Sequence, residues 1–259
     1  MTESNFTHRG GTLAAGEISE EEWQVRRDLA ACYRLCALRQ WDDLIYTHIS
    51  AAVPGEPGRF LINPFGYRFD EITASNLVKI DLQGNIIGSH GFRINVTGFA
   101  IHAAVHAARA DAQCVMHLHN VNGIAVGAQE AGLLPLSQHA LRFYGQIGYH
   151  AYEGLALSAN EQERLVEKLG SHPAMLLRNH GTLTCGRTVA EAFVLMDTLD
   201  KACAIQLKAQ SGGSRLVMPD AATCARTHLE LIGDGSPEGA LEWPALLRQL
   251  DQLSPNYKN

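Results

Sequence analysis

The stretch that most limits what this chain can fold into is Cys114-Val115-Met116-His117-Leu118-His119-Asn120, an apolar run that ends in two histidines one residue apart. Its length and content predict a short buried strand. Side chains alternate across a strand, so His117 and His119 share one face while Leu118 enters the opposite layer. Residues two apart on a strand lie about 6–7 Å from Cα to Cα, close enough for both rings to converge on one metal ion. A third imidazole is offered by Met175-Leu176-Leu177-Arg178-Asn179-His180-Gly181, a second apolar run that ends in a histidine beside a glycine. Three neutral imidazoles with one open position polarise a carbonyl or lower the pKa of bound water to about 7. The competing reading keeps the same histidines as packing residues. Convergence without an ion would leave buried ring nitrogens short of partners, and this favours the metal.

Such a site needs a scaffold, which the remaining sequence outlines. Residues 1–16 are polar and aperiodic, as expected of a mobile arm, and residues 17–259 read as one domain with a C-terminal extension from about residue 211. Ser19 with Glu22 makes a capping-box pattern, and Val25, Leu29, Cys32 and Cys36 recur at helical spacing, predicting a helix that ends near Gln40. A strand is expected over Leu44–Ala52, a turn at Pro54–Gly58 and a returning strand over Arg59–Asn63. Asn63-Pro64-Phe65-Gly66 reads as a tight turn whose backbone N–H groups either hold an anion or simply reverse the chain. Leu77–Asp81 and Gly84–Gly88 suggest a further hairpin. Thr97 is placed as the cap of a helix with Ile101, Ala104, Val105 and Ala108 on one face. Leu133–Tyr152 reads as strand and loop, Glu161–Leu169 as a short helix, and Ala174–Leu177 as a strand. A long amphipathic helix is predicted over Arg187–Gln210, capped by Thr188 with Glu191 in the capping-box position. The tail carries one short helix, Leu241–Leu250, interrupted by Pro244. Together these elements predict an α/β domain around a mainly antiparallel sheet with helices on its faces.

Composition enters through what it excludes. With 259 residues the chain can bury a sizeable core, and with a net charge of −6 and no basic stretch it lacks the phosphate-neutralising surface of a nucleic-acid binder. The six cysteines form no C-x-x-C pair and sit in apolar segments, so they are expected to be reduced core residues of a cytoplasmic protein. No apolar run approaches the ~20 residues needed to cross a bilayer, so no membrane association is expected.

Three motifs carry a resemblance. Asp111 to His119, Leu177-Arg178-Asn179-His180-Gly181 and Phe60-Leu61-Ile62-Asn63-Pro64-Phe65-Gly66 resemble, in the same order, the class II aldolase/adducin family. The likeness covers about Glu20 to Gln210, and the phrases around Tyr46–Ser50 and Thr73–Lys79 look more like its adducin head-domain branch. The resemblance implies a three-layer α/β/α sandwich around a mixed, mainly antiparallel sheet. It also implies a homotetramer and a zinc ion held by three histidines, which map onto His117, His119 and His180. One departure bears on mechanism. The family's aldolases carry an acidic proton-transfer base where this chain has Gly98, serines that help hold substrate phosphate where it has Val96 and Thr97, and a phosphate-binding asparagine where it has His48.

The expected substrate contacts are therefore His48, Asn63, Gly66, Thr97 and Gly98. His102, one helical turn after Gly98, is the replacement acid/base candidate, ahead of His48, His139 and Tyr144. His106 joins His102 at i and i+4, a spacing that suits metal support as well as ordinary packing. Arg178 and Asn179 are read as positioning groups. The function expected is a metal-dependent carbon–carbon lyase acting on a small hydroxy-carbonyl compound, with Zn²⁺ as cofactor. Two alternatives stay open: a non-haem iron oxygenase holding Fe²⁺, or another divalent metal, on the same histidines, and a non-catalytic adducin-like assembly module. Actin binding is not expected, because the chain has no long basic tail.

Overall fold

The computed structural model describes residues 18–88, 91–154 and 159–259, with the side chains of Val96, Thr97 and Ala159 excepted. The N-terminal arm expected over residues 1–16 lies outside the described residues. Seven strands form one sheet in the order β3-β2-β1-β4-β7-β6-β5. These are β1 (His48–Ala52), β2 (Arg59–Ile62), β3 (Val78–Asp81), β4 (Cys114–Leu118), β5 (Ile147–His150), β6 (Ala174–Leu177) and β7 (Gly181–Gly186). All neighbours pair antiparallel except β5 with β6. The result is the mixed, mainly antiparallel α/β sheet the sequence implies.

Alternation along the strands creates the layers. Cys114, Met116 and Leu118 of β4 pack with Ile49 and Ala51 of β1 against α1 (Glu20–Leu38) and α6 (Val189–Ser211). Val115 of β4 joins Leu183 and Cys185 of β7 against Ile101 and Val105 of α2 (Val96–Ala108) and Leu165 and Leu169 of α5 (Ala159–Leu169). Strand β4 is buried on both faces, so its non-alternating apolar text follows from being covered twice. The caps at Ser19 and Thr188 form as read: Ser19 Oγ accepts from Glu22 N–H at 3.1 Å and Thr188 Oγ1 from Glu191 N–H at 3.0 Å. All six cysteines are buried free thiols.

Several expectations need correction. Leu44–Thr47 is not strand, because Leu44 and Thr47 take φ of 52° and 64°, which breaks the ladder and leaves His48 as the first strand residue. Helix α2 begins at Val96, so Thr97 lies within its first turn rather than capping it. The chain that follows β4 is helical over α3 (Val121–Gly127), and Leu133–Tyr152 contains a helical turn, α4 (Gln138–Leu141). Both are too short for a helical period to show. The tail holds two helices, α7 (Ala221–Ile232) and α8 (Glu242–Leu253), and α8 is not interrupted by Pro244. That residue sits in the first turn, where its missing N–H has no helical acceptor to lose. The extension folds back: Trp243, Leu250 and Tyr257 complete the core beside α1. No helix among the described residues is long and apolar enough to cross a membrane.

Candidate metal centre

Antiparallel registry assembles the site at one edge of the layers. Pairing of β1 with β4 sets His48 opposite His117, and pairing of β4 with β7 sets Leu118 opposite Thr182, so the end of β4 meets the start of β7. The sequence suggests that His180 ends a strand. Strand β6 ends at Leu177 as expected, and His180 lies beyond it, closing a three-residue turn into β7, which had no signal of its own. Asn179 holds that turn with φ of 59°, a conformation asparagine tolerates. The Arg178 guanidinium donates to the carbonyl oxygens of Gly127 and Gln129 and stacks 5.0 Å over the Tyr149 ring, the positioning role expected of it.

His117, His119 and His180 converge. Their ring centroids stand 4.8 to 5.3 Å apart, and one ring nitrogen from each lies within 4.8 Å of the other two. Gly181 permits this approach, since a Cβ there would stand 2.5 Å from the Leu118 carbonyl oxygen and 3.1 and 3.2 Å from the rings of His117 and His119. Partners fix the tautomers: His117 Nδ1–H donates to the Thr182 carbonyl at 3.1 Å and His119 Nδ1–H to Asp43 Oδ2 at 2.8 Å. In the neutral form of these rings the lone pair is then on Nε2. Burial, followed by the neighbouring imidazoles, drives His117 well below the ordinary histidine range and His180 to about 4, so both are neutral at pH 7. Three imidazole nitrogens facing one point suit a divalent cation such as Zn²⁺ or Fe²⁺.

The cluster opens on a cavity of about 380 Å³ lined by Asp43, Tyr46, Thr47, His48, Phe65, Asn95, Gly98, Ile101 and the three histidines. Among the expected substrate contacts, His48 and Gly98 line it. The side chain of Thr97 lies outside the described residues. Asn63 does not line the cavity: it is buried against α1, where its Oδ1 accepts from Tyr33 O–H at 2.9 Å. Gly66 stands in an exposed turn beside the lining residue Phe65, whose N–H is already spent on the Arg93 carbonyl at 2.7 Å. His102 is fully buried and outside the lining, with Nδ1 2.7 Å from Ser50 Oγ, which also bonds His106 Nε2 at 2.7 Å. Burial pushes His102 well below its usual pKa. His139 is exposed and lines a different cavity.

Gly98 and His48 are one steric unit. A Cβ at residue 98 would collide with Nδ1 and Cε1 of His48 and stand 2.8 Å from its Cγ. The imidazole therefore occupies the volume into which any side chain at position 98 would start. His48 is 2% exposed, and among the described residues neither of its ring nitrogens, both without accessible surface, has a partner. Thr47 before it is a β-branched residue at positive φ, a strained conformation, and its Oγ1 is likewise buried without a partner. Sequence reading missed Asp43 and Thr182, which orient the rings of His119 and His117, and Asp200 of α6. The last accepts from Asn120 Nδ2 at 2.8 Å and Trp41 Nε1 at 3.3 Å, tying both site loops to one helix. None of these carries a local signal, since each meets its partner only across the fold.

A three-histidine cluster at the edge of an α/β sandwich of this topology defines a metal-site scaffold of the class II aldolase type. Residues 27–207 match the Class II Aldolase and Adducin N-terminal domain family, and the chain belongs to it. It is 53% identical over 244 residues to a Caulobacter vibrioides protein named "Putative aldolase class 2 protein", covering 93% of this chain and 95% of that one. To Alpha-adducin of Rattus norvegicus it is 41% identical, over 88% of this chain and 33% of that longer protein. The solved L-fuculose 1-phosphate aldolase from Glaciozyma antarctica superposes with a TM-score of 0.83 at 25% identity, over 96% of this chain and 97% of the other.

Proposed function

We propose that the protein is a metal-dependent carbon–carbon lyase for a small hydroxy-carbonyl substrate. The observation that carries this reading is the three convergent ring nitrogens facing an open cavity. His117, His119 and His180 would hold a divalent ion, Zn²⁺ by its preference for neutral imidazole, which supplies Lewis acidity toward the substrate oxygens. The chain's own residues do the rest. Asp43 and the Thr182 carbonyl keep two ligand rings in their working tautomers, while Phe65 and Ile101 give the cavity an apolar wall that limits water. With no carboxylate at position 98, His48 is the acid/base candidate: it lines the cavity outside the three-histidine set, and its buried ring nitrogens reach a substrate only when the ring turns. His102 stands behind it with ring centroids 6.2 Å apart, is held by Ser50, and does not line the cavity.

The test is metal content followed by cleavage. Protein purified without chelator is expected to carry one divalent ion per chain, lost in His117→Ala, and to release an aldehyde from hydroxy-carbonyl compounds only while that ion is present. A second reading, a non-catalytic assembly module, draws on the likeness to Alpha-adducin. Metal-loaded protein that cleaves no member of a broad hydroxy-carbonyl panel would count against the lyase and for the module, unless Fe²⁺-loaded protein consumes oxygen, which would favour an oxygenase.

A further inference from the structure

Helix α2 and strand β1 enclose a polar file inside an otherwise apolar layer. Gly98, His102 and His106 recur every four residues and share one face of α2, while His48, Ser50 and Ala52 share one face of β1. Around them the layer holds Ile101, Ala103 and Val105. Ser50 Oγ lies 2.7 Å from His102 Nδ1 and 2.7 Å from His106 Nε2. A hydroxyl carries one proton, so it donates to one ring and accepts from the other. His106 also makes a hydrogen bond with the Ala112 backbone that favours a protonated ring, so its partner there is a carbonyl. This gives the file a direction: His102 Nδ1–H donates to Ser50, and the Ser50 O–H donates to His106 Nε2.

Each end of the file meets a cavity. His106 is partly exposed and lines a second cavity, of about 420 Å³, together with Ala52, Phe60 and Arg109. At the other end His102 Nε2 is buried without a partner among the described residues, and the ring of His48, which lines the metal cavity, stands 6.2 Å away between centroids. Burying imidazoles in such a layer costs free energy that hydrocarbon side chains would not, so packing alone gives no reason for them.

Resting on the lyase reading, we propose that His102, Ser50 and His106 form a proton path from His48 to the second cavity, by which a proton taken from substrate leaves without crossing the occupied metal cavity. The two nitrogens of an imidazole point to different sides of the ring, so a His48 ring turned to meet substrate with one presents the other toward His102. Every member then receives one proton and passes one on: substrate to His48, His48 to His102 Nε2, His102 Nδ1–H to Ser50, Ser50 O–H to His106 Nε2, and the other N–H of His106 to solvent. A proton returned along the same route restores the starting tautomers. The three residues act through His48 and do not touch the substrate.

The experiment has two readouts. Nitrogen NMR of the metal-free protein is expected to show Nδ1 protonated and Nε2 bare on both His102 and His106, and Ser50→Ala to abolish that order at His102. The second readout is release of tritium from carbon-labelled dihydroxyacetone, or from its phosphate ester, by metal-loaded protein. In the parent its rate is expected to follow a curve against the deuterium fraction of the solvent, because several protons move together. In Ser50→Ala release is expected to fall at least about tenfold and the dependence to become straight, with metal content unchanged. A merely structural role for Ser50 would slow release without changing that shape. The opposite tautomer at His102, a straight dependence in the parent, or a curve that survives Ser50→Ala would overturn the path and leave the lyase reading standing. Tritium retained by both probes with the metal-loaded parent would overturn both.

Discussion

At the scale of single residues, the pairing of Gly98 with His48 changes what a substitution should do. Glycine inside a helix normally costs about 1 kcal/mol relative to alanine, so Gly98→Ala alone ought to stabilise α2. Because the new methyl would collide with the His48 ring, we expect the opposite sign, a loss of about 1–3 kcal/mol from overpacking. The effect should reverse in a His48→Asn background, and urea unfolding of the four proteins in a double-mutant cycle measures it. Additive substitutions would show that ring and glycine are not coupled. It follows that an acid at position 98 cannot be restored alone, since Gly98→Glu meets the same ring. The histidine motif was legible at this scale because two residues on one strand face must converge. The role of His48 was not, since the consequence of its ring depends on a glycine 50 residues away.

At the scale of elements, the site hangs between β4, the β6–β7 turn and α6. Helix α6 supplies Asp200, which accepts from Asn120 immediately after His119 and from Trp41 just ahead of Asp43. Asp200→Ala is expected to lower metal affinity by roughly 10–100-fold, the range seen when supporting partners of metal ligands are removed. The far-ultraviolet circular dichroism should stay unchanged. Competition against a chromophoric chelator reads the affinity, and parental affinity would show that the loops are held by other means. The boundaries of α1, β6 and α6 could be read because caps and apolar period agreed there. Helices α3 and α4 and strand β7 could not, since each is defined by what it packs on rather than by its own text.

For the whole molecule, the C-terminal extension and the buried histidines set stability. Leu250 is fully buried in the core beside α1, so Leu250→Ala is expected to cost about 2–5 kcal/mol, measured by chemical denaturation. A change under 0.5 kcal/mol would mean the extension packs only loosely. Acid should act through the imidazoles. Burial lowers His48 to about 4, whereas an unfolded histidine takes up its proton near 6.5. Between those values the unfolded chain binds the extra proton, so stability is full above pH 6.5 and declines as pH falls toward 4. The slope is up to about 1.4 kcal/mol per pH unit for His48 alone. Metal-free protein unfolded in urea at pH 7.5, 5.5 and 4.5 tests this, and a flat profile would contradict the burial of these rings.

By itself the sequence determined the three-histidine cluster, the α/β class and the mainly antiparallel sheet, because strand alternation and helix period are local rules written every two or 3.6 residues. Tertiary structure decided which of the remaining polar residues face the cavity. His102 and Asn63 carry side chains as suited to chemistry as that of His48, yet one lies behind Ser50 and the other against Tyr33. Which way a polar side chain opens depends on strand registry and on the volume left by residues distant in the chain. No local pattern records either.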